Sequence, residues 1–307
     1  MSDVSVAEAL RRAVGGPSRV IFPREFQGFV GTVHGGGTAA FFLDAAGLPP
    51  GAPARLDTVL GRTVPVECPL EVVREAGPGG VRLGLRHEGR LLAEGVVGRG
   101  EGLPLDPSGL LGAWRSARTP SGRLPGTATC LACGSTNPLG LQLRFDYNDR
   151  FVWRGFEPRL PYEEPGGGLH PALAPILLDE IGWWLGALDQ GECGVTTEIA
   201  VALVEPLPRE PLLVLGDRAA VRRTGDSKGR YSRAEALLLT RSGTPLAAAT
   251  VRFAGSRVYS KRLLPVFATE SGEGVYRLFP RYAPPGDPER ARDGSSSGGV
   301  MGPGDGG

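Results

Sequence analysis

The chain has 307 residues, with 34 basic and 33 acidic side chains giving a net charge of +1. That length holds two ordinary domains or one large one, and the near-neutral balance removes any global electrostatic reason to expect nucleic acid or an anionic membrane as partner. Apolar runs such as 172–178 and 39–43 fall far short of the roughly 18 to 20 residues that span a bilayer. The first thirty residues lack a signal-peptide apolar core, and four cysteines make no disulfide framework, so a cytoplasmic location is expected.

Residues 31–46, GTVHGGGTAAFFLDAA, predict a helix that starts at a glycine run behind His34 and carries an apolar stretch closed by Asp44. A turn-rich break at 47–53 follows. Val64, Val66 and Cys68 then alternate with polar or turn residues, as do Val81, Leu83 and Leu85; with the later LLAEGVV they predict antiparallel strands joined by hairpins. Residues 101–129, rich in Gly, Pro, Ser and Arg, read as a linker with a short helix at GLLGAWRSA. Residues 167–182, GGLHPALAPILLDEIG, then repeat the earlier plan: Gly, any residue, an apolar residue, His170, small residues, and an apolar run closed by Asp179. Strands follow again from 194 to 255, in the same order and with matching Pro pairs and turns. One helix followed by a strand meander, twice over, is an α+β pattern with each helix packed on an antiparallel sheet. The strand pattern ends near Arg257, and residues from about 285 are too poor in apolar side chains to fold. The expected layout is an N-terminal repeat over 1–100, a linker over 101–129, a C-terminal repeat over 130–256 and a tail over 257–307.

The segments CLACGSTNPLGLQLRF (130–145), GLHPALAPILLDEIGWW and VTTEIAVALVEPLP resemble the hotdog-fold superfamily of PaaI-like and 4-hydroxybenzoyl-CoA thioesterases, as do FQGFVGTVHGGG and Asp44 in the first half. The likeness covers roughly residues 19–100 and 130–255. It implies two hotdogs in tandem, each a sheet wrapped around a central helix, paired within one chain as a pseudo-dimer. It further implies acyl-CoA or acyl-carrier thioester as substrate, hydrolysis without metal or cofactor, and a dimer of tandem chains.

Thioester hydrolysis needs donors aimed at the carbonyl oxygen and a carboxylate that activates water or attacks directly. Free amides at a helix N-terminus supply the donors. In the family the donor follows the His and the acid lies eight positions on, from the opposite hotdog. On this chain, Asp179 lies eight after Pro171, which has no N–H to give. Gly35, Gly36 and Gly37 keep their amides, and counting back eight from Asp44 gives Gly36. Crossed pairing therefore predicts one competent cleft, made by Gly35 and Gly36 with Asp179 or Glu180, and one degenerate cleft, made by Asp44 with Pro171 and Ala172. Glu180 is one helical position from Asp179, about 100° round, and is expected to face elsewhere.

Further candidates for substrate binding are His34, Gly37, His170 and Gln27, together with Arg222, Arg223 and Lys228 on a basic hairpin suited to CoA phosphates. Helix capping by the histidines, a helix-end role for Asp44 and a solvated hairpin are the plainer alternatives. Trp183 and Trp184 are expected in the core or between the repeats. Cys130-x-x-Cys133 has the spacing of half a zinc site, but no second Cys/His pair has suitable spacing, so a structural turn is expected there and no metal. A non-hydrolytic acyl-thioester binding protein on the same fold remains the alternative function. A hotdog dehydratase would need a His–acid pair that the sequence does not display.

Overall fold

The computed structural model describes residues 5–16, 18–49, 51–100, 102–103, 105–225, 229–272 and 274–285. Lys228 and the segment 286–307 fall outside them. A short helix α1 (Val6–Ala13), capped by the Ser5 side chain, precedes strand β1 (Arg19–Ile21). The first repeat continues with α2 (Gly35–Ala45), β2 (Ala54–Leu60), β3 (Pro69–Gly77), β4 (Gly80–His87) and β5 (Arg90–Arg99). The linker carries α3 (Pro107–Ser116), started by the Asp106 side chain and a proline in the first turn. The second repeat is β6 (Phe151–Phe156), α4 (Leu173–Gln190), β7 (Gly194–Leu203), β8 (Leu212–Asp217), β9 (Tyr231–Thr240) and β10 (Pro245–Gly255), followed by α5 (Arg257–Ser271).

Among the described residues these strands form one antiparallel sheet, in the order β1-β3-β4-β5-β2-β7-β10-β9-β8-β6, with short strands at its ends. The order is the same in each repeat when read outward from the centre, so the two halves meet edge to edge at β2 and β7. Their register pairs Leu56 with Val201 and Thr58 with Ile199. That pairing covers the edge each repeat would otherwise expose.

The two halves differ in how much of the sheet they bury. In β2 the burial alternates along the strand, one face on the core and one in water, whereas Leu212–Leu215 of β8 is buried on both faces. The reason is α3: Leu111 packs on Phe151, Trp153, Leu213, Leu215, Leu237 and Leu239, on the face opposite α4. The linker is thus the outer layer of the second repeat.

The run Val64, Val66, Cys68 is not a strand. Strand β3 begins at Pro69, and the preceding residues form a loop in which Glu67 adopts a left-handed φ of 55°. Their backbone groups pair instead with the segment before α2: Val33 N–H donates to Val64 O at 2.8 Å, and Glu67 N–H to Phe22 O at 2.8 Å. The loop therefore lies beside the N-terminus of α2.

Both central helices pack on the sheet, α4 on β9 and β10 and α2 on β5 and β2, and they touch each other. Helix α4 starts at Leu173, which puts Pro175 in its first turn, where a missing N–H costs no helical bond. It ends at Gly191, whose φ of 62° lets it close the last turn. Its first two turns cross the start of α2 at Gly36, where a Cβ would lie 2.7 Å from the Cα of Ile176 and 2.9 Å from the Cβ of Asp179. Only glycine permits that approach. No described helix is long and apolar enough to cross a membrane.

Candidate functional site

His34 is the residue before α2. Its N–H donates to Phe26 O at 2.8 Å, and Gly28 N–H donates to Thr32 O at 2.9 Å, so the loop from 26 to 34 is closed on itself. The first intrahelical bond of α2 is Thr38 N–H to His34 O, which leaves the glycine amides before it without a helical acceptor. Gly36 N–H is taken by Asp179 Oδ2 of the other repeat at 2.6 Å. The Gly35 amide has no hydrogen-bond acceptor among the described residues, and a Cβ on Gly35 would lie 2.8 Å from Asp179 Oδ2. The helix terminus and the acid therefore share one point in space. Gly37 is turned away, buried beside Leu131 and Phe26.

Asp179 is 3% exposed and accepts a second hydrogen bond on Oδ1, from the Thr196 hydroxyl of β7 at 2.7 Å. Glu180, expected to face elsewhere, reaches the same place. The reason is the imidazole between them. His34 Nε2 lies 3.1 Å from Glu180 Oε2, and Nδ1 lies 3.3 Å from Asp179 Oδ2, so adjacent helical positions straddle one ring. The Nδ1 contact is close but not aligned as a hydrogen bond. Burial pushes the Asp179 carboxyl above its usual range, opposed by His34, Thr196 and the Gly36 amide. Burial works to lower His34, but the Glu180 hydrogen bond and the charges of both acids outweigh it and hold the imidazole above its ordinary value. The His–acid pair not visible in the sequence is thus assembled across the two repeats.

These groups line a cavity of about 700 Å³. Its walls come from the loop 28–34, Leu60 to Val64, Cys130 and Cys133, Trp183, and Val195 to Thr197. Trp183 lines it, with its ring 6.0 Å from that of Phe29, while Trp184 is packed in the core. Helix α5 closes the remaining side. Tyr259, Arg262, Leu263, Val266, Phe267 and Glu270 recur at steps of three and four and form the one face of α5 that meets the cavity. Sequence reasoning passed over this face, although its spacing is that of an amphipathic helix. It also passed over Thr196, for which no local signal exists, because its partner is on another element.

The other crossed position echoes the first. His170 Nε2 lies 3.6 Å from Asp44 Oδ1 and 4.0 Å from Glu164, but the side chain of Asp44 is 38% exposed. The amides that begin α4 are already engaged: Ala172 N–H donates to His170 Nδ1 at 3.2 Å, Leu173 N–H to His170 O and Ala174 N–H to Pro171 O. Of the remaining candidates, Gln27 is buried outside the cavity lining and accepts from Gly31 N–H. Arg222 bonds carbonyls of its own loop, and Arg223 pairs with Asp189; neither lines the cavity. Arg62 and Arg262, both exposed, do.

No protein-family model matches the chain, and no curated protein matches it by sequence. Its fold is nevertheless shared. A conserved hot dog fold protein of unknown function from Alicyclobacillus acidocaldarius superimposes with a TM-score of 0.52 at 15% identity, covering 81% of this chain and 98% of that one. The tesB protein of Mycobacterium avium subs paratuberculosis gives a TM-score of 0.52 at 14% identity, covering 82% and 100%. The dehydratase domain from the CurJ module of the curacin polyketide synthase gives 0.52 at 12% identity, covering 79% and 92%. With two sheet-wrapped helices joined through one continuous sheet, the chain is a tandem hotdog protein of α+β class.

Proposed function

We propose that the protein hydrolyses an acyl thioester at the cleft between His34–Gly35 and Asp179, in the manner of the PaaI-like thioesterases its motifs resemble. The observation that carries this reading is the meeting of Asp179 Oδ2 with the glycine N-terminus of α2 on the wall of a mostly apolar cavity. Asp179 acts as general base toward water or as the nucleophile, and the free Gly35 amide, at the positive end of the α2 dipole, stabilises the developing oxyanion. Gly36 serves differently from the expectation of a second donor: its amide, spent on Asp179, fixes the carboxylate beside Gly35. Thr196 holds the other oxygen. The acyl chain lies among Phe29, Trp183, Leu263 and Phe267, and the exposed Arg62 and Arg262 are the cations available to the phosphate of CoA or of a carrier's pantetheine arm.

The cross-repeat His34–Asp179 pair favours a second reading, reversible dehydration of a β-hydroxyacyl thioester. Against it, both ring nitrogens face carboxylates and the imidazole is held toward its charged form, whereas a proton-abstracting histidine needs one nitrogen free and neutral. Thiol release from a panel of short, long and aromatic acyl-CoAs, run beside Asp179→Asn, tests the proposal. Turnover lost in the variant supports hydrolysis. Saturable binding without turnover by the wild type replaces it with the binding-protein reading, and turnover untouched in Asp179→Asn removes the assigned acid.

A further inference from the structure

The Cys130-x-x-Cys133 turn has no part in the chemistry above, yet it abuts the same cavity. It is carried there by the segment that opens the second repeat and docks on the first: Leu131 N–H donates to Gln27 O at 2.7 Å, and the Asn137 side chain donates to Glu25 O at 2.8 Å. The docking places Cys130 Sγ beside His34 and Glu180. One donor atom from each of the three, imidazole nitrogen, thiol sulfur and carboxylate oxygen, lies within 4.8 Å of the other two, and all three side chains are buried. Donors around a tetrahedral zinc, with bonds of about 2.0 to 2.3 Å, sit roughly 3.3 to 3.8 Å apart, so the cluster needs only a small contraction.

Three further features suit a cation. Cys130 Sγ is fixed in place by the amides of Ala132 and Cys133, which donate to it at 3.3 and 3.5 Å; the Cys133 side chain and burial hold it as the thiol, so an incoming cation must displace that proton. Two buried carboxylates straddle a single imidazole, so oxygen donors lie on both sides of His34 within reach of a cation bound there. Finally, His34 Nδ1 is fully buried without an aligned partner while facing Asp179, the outer-shell arrangement that orients a metal-bound histidine.

We infer that His34 Nε2, Cys130 Sγ and a Glu180 carboxylate oxygen form a zinc(II) site with three protein ligands and an open position toward the cavity. The S, N and O donor set selects zinc over magnesium or calcium, which prefer oxygen alone. Binding displaces the thiol proton of Cys130 and the shared proton of the His34–Glu180 contact. The inference is independent of the hydrolytic reading, because binding is read from the metal and needs no substrate.

The test uses full-length, tag-free protein carrying Cys68→Ser, since the half-buried Cys68 Sγ lies 3.2 Å from His87 Nε2 and offers a competing pair. After chelator dialysis, cobalt(II) and then zinc(II) are titrated against a chromophoric competitor. The expected result is one metal per chain and a thiolate-to-cobalt charge-transfer band. That band should disappear in Cys130→Ser and persist in Cys133→Ser, and Glu180→Gln should weaken zinc at least tenfold. A folded parent protein that takes up no cobalt, or binds it without the charge-transfer band, overturns the site. So does a band that survives in Cys130→Ser. The parent spectrum alone decides the matter if a variant fails to fold.

Discussion

The two crossed positions of this molecule began from one plan and differ in what the helix start has left to give. At the first, α2 opens with glycines: one amide is free, the next holds Asp179, and the acid lies near the middle of a long buried helix. At the second, Pro171 and Ala172 lead into α4, the amides at its start are spent on His170 and Pro171, and the facing acid, Asp44, sits in the last turn of a short helix with its side chain partly in water. A histidine beside an acid exists at both. An unspent helix terminus and exclusion from solvent therefore distinguish one cleft from the other.

Exchange of Asp179 for Asn should separate the clefts most strongly, lowering kcat by about 10² to 10⁴, read by thiol release with a thermal melt confirming the fold. A larger loss from Asp44→Asn than from Asp179→Asn would reverse the comparison. Gly36→Ala should come next, because its Cβ would meet the Cα of Ile176 at 2.7 Å; overpacking of this kind costs about 1 to 3 kcal/mol, measured by denaturant unfolding. At the other helix start, Ala172→Gly, which removes a buried methyl in the αR conformation, should cost about 1 kcal/mol and create no clash. Thr196→Val removes one hydrogen bond to Asp179 and should cut kcat/KM about tenfold, near 1.4 kcal/mol. An unchanged rate would place Thr196 outside the catalytic network. Smallest is Asp44→Asn, expected within about 0.5 kcal/mol in stability, as for surface positions generally, and within about twofold in rate.

Much of the fold was legible locally. Period-two runs in 81–85 and 194–203, the helix starts behind His34 and His170, and the helix in the linker all lie where propensity and hydrophobic pattern agree. The alternation of Val64, Val66 and Cys68 misled because these residues alternate against the loop before α2 and not within a ladder. Helix α5 was missed because the face that meets the cavity mixes Leu263, Val266 and Phe267 with Arg262 and Glu270, and its core contacts through Leu264 and Phe267 are too few to give a clear periodic signal.

The sequence by itself determined the repeat, the class, and which helix start keeps its amides, since each depends on residues within a few positions of one another. Only the tertiary structure decided what those amides face. His34, Cys130, Asp179, Glu180 and Thr196 come from four stretches spanning 162 positions, and no periodicity relates them. Edge-to-edge pairing of β2 with β7 and the glycine contact of α2 with α4 bring them to one wall. Side-chain chemistry is written locally, whereas its convergence depends on packing between elements that the local pattern cannot orient.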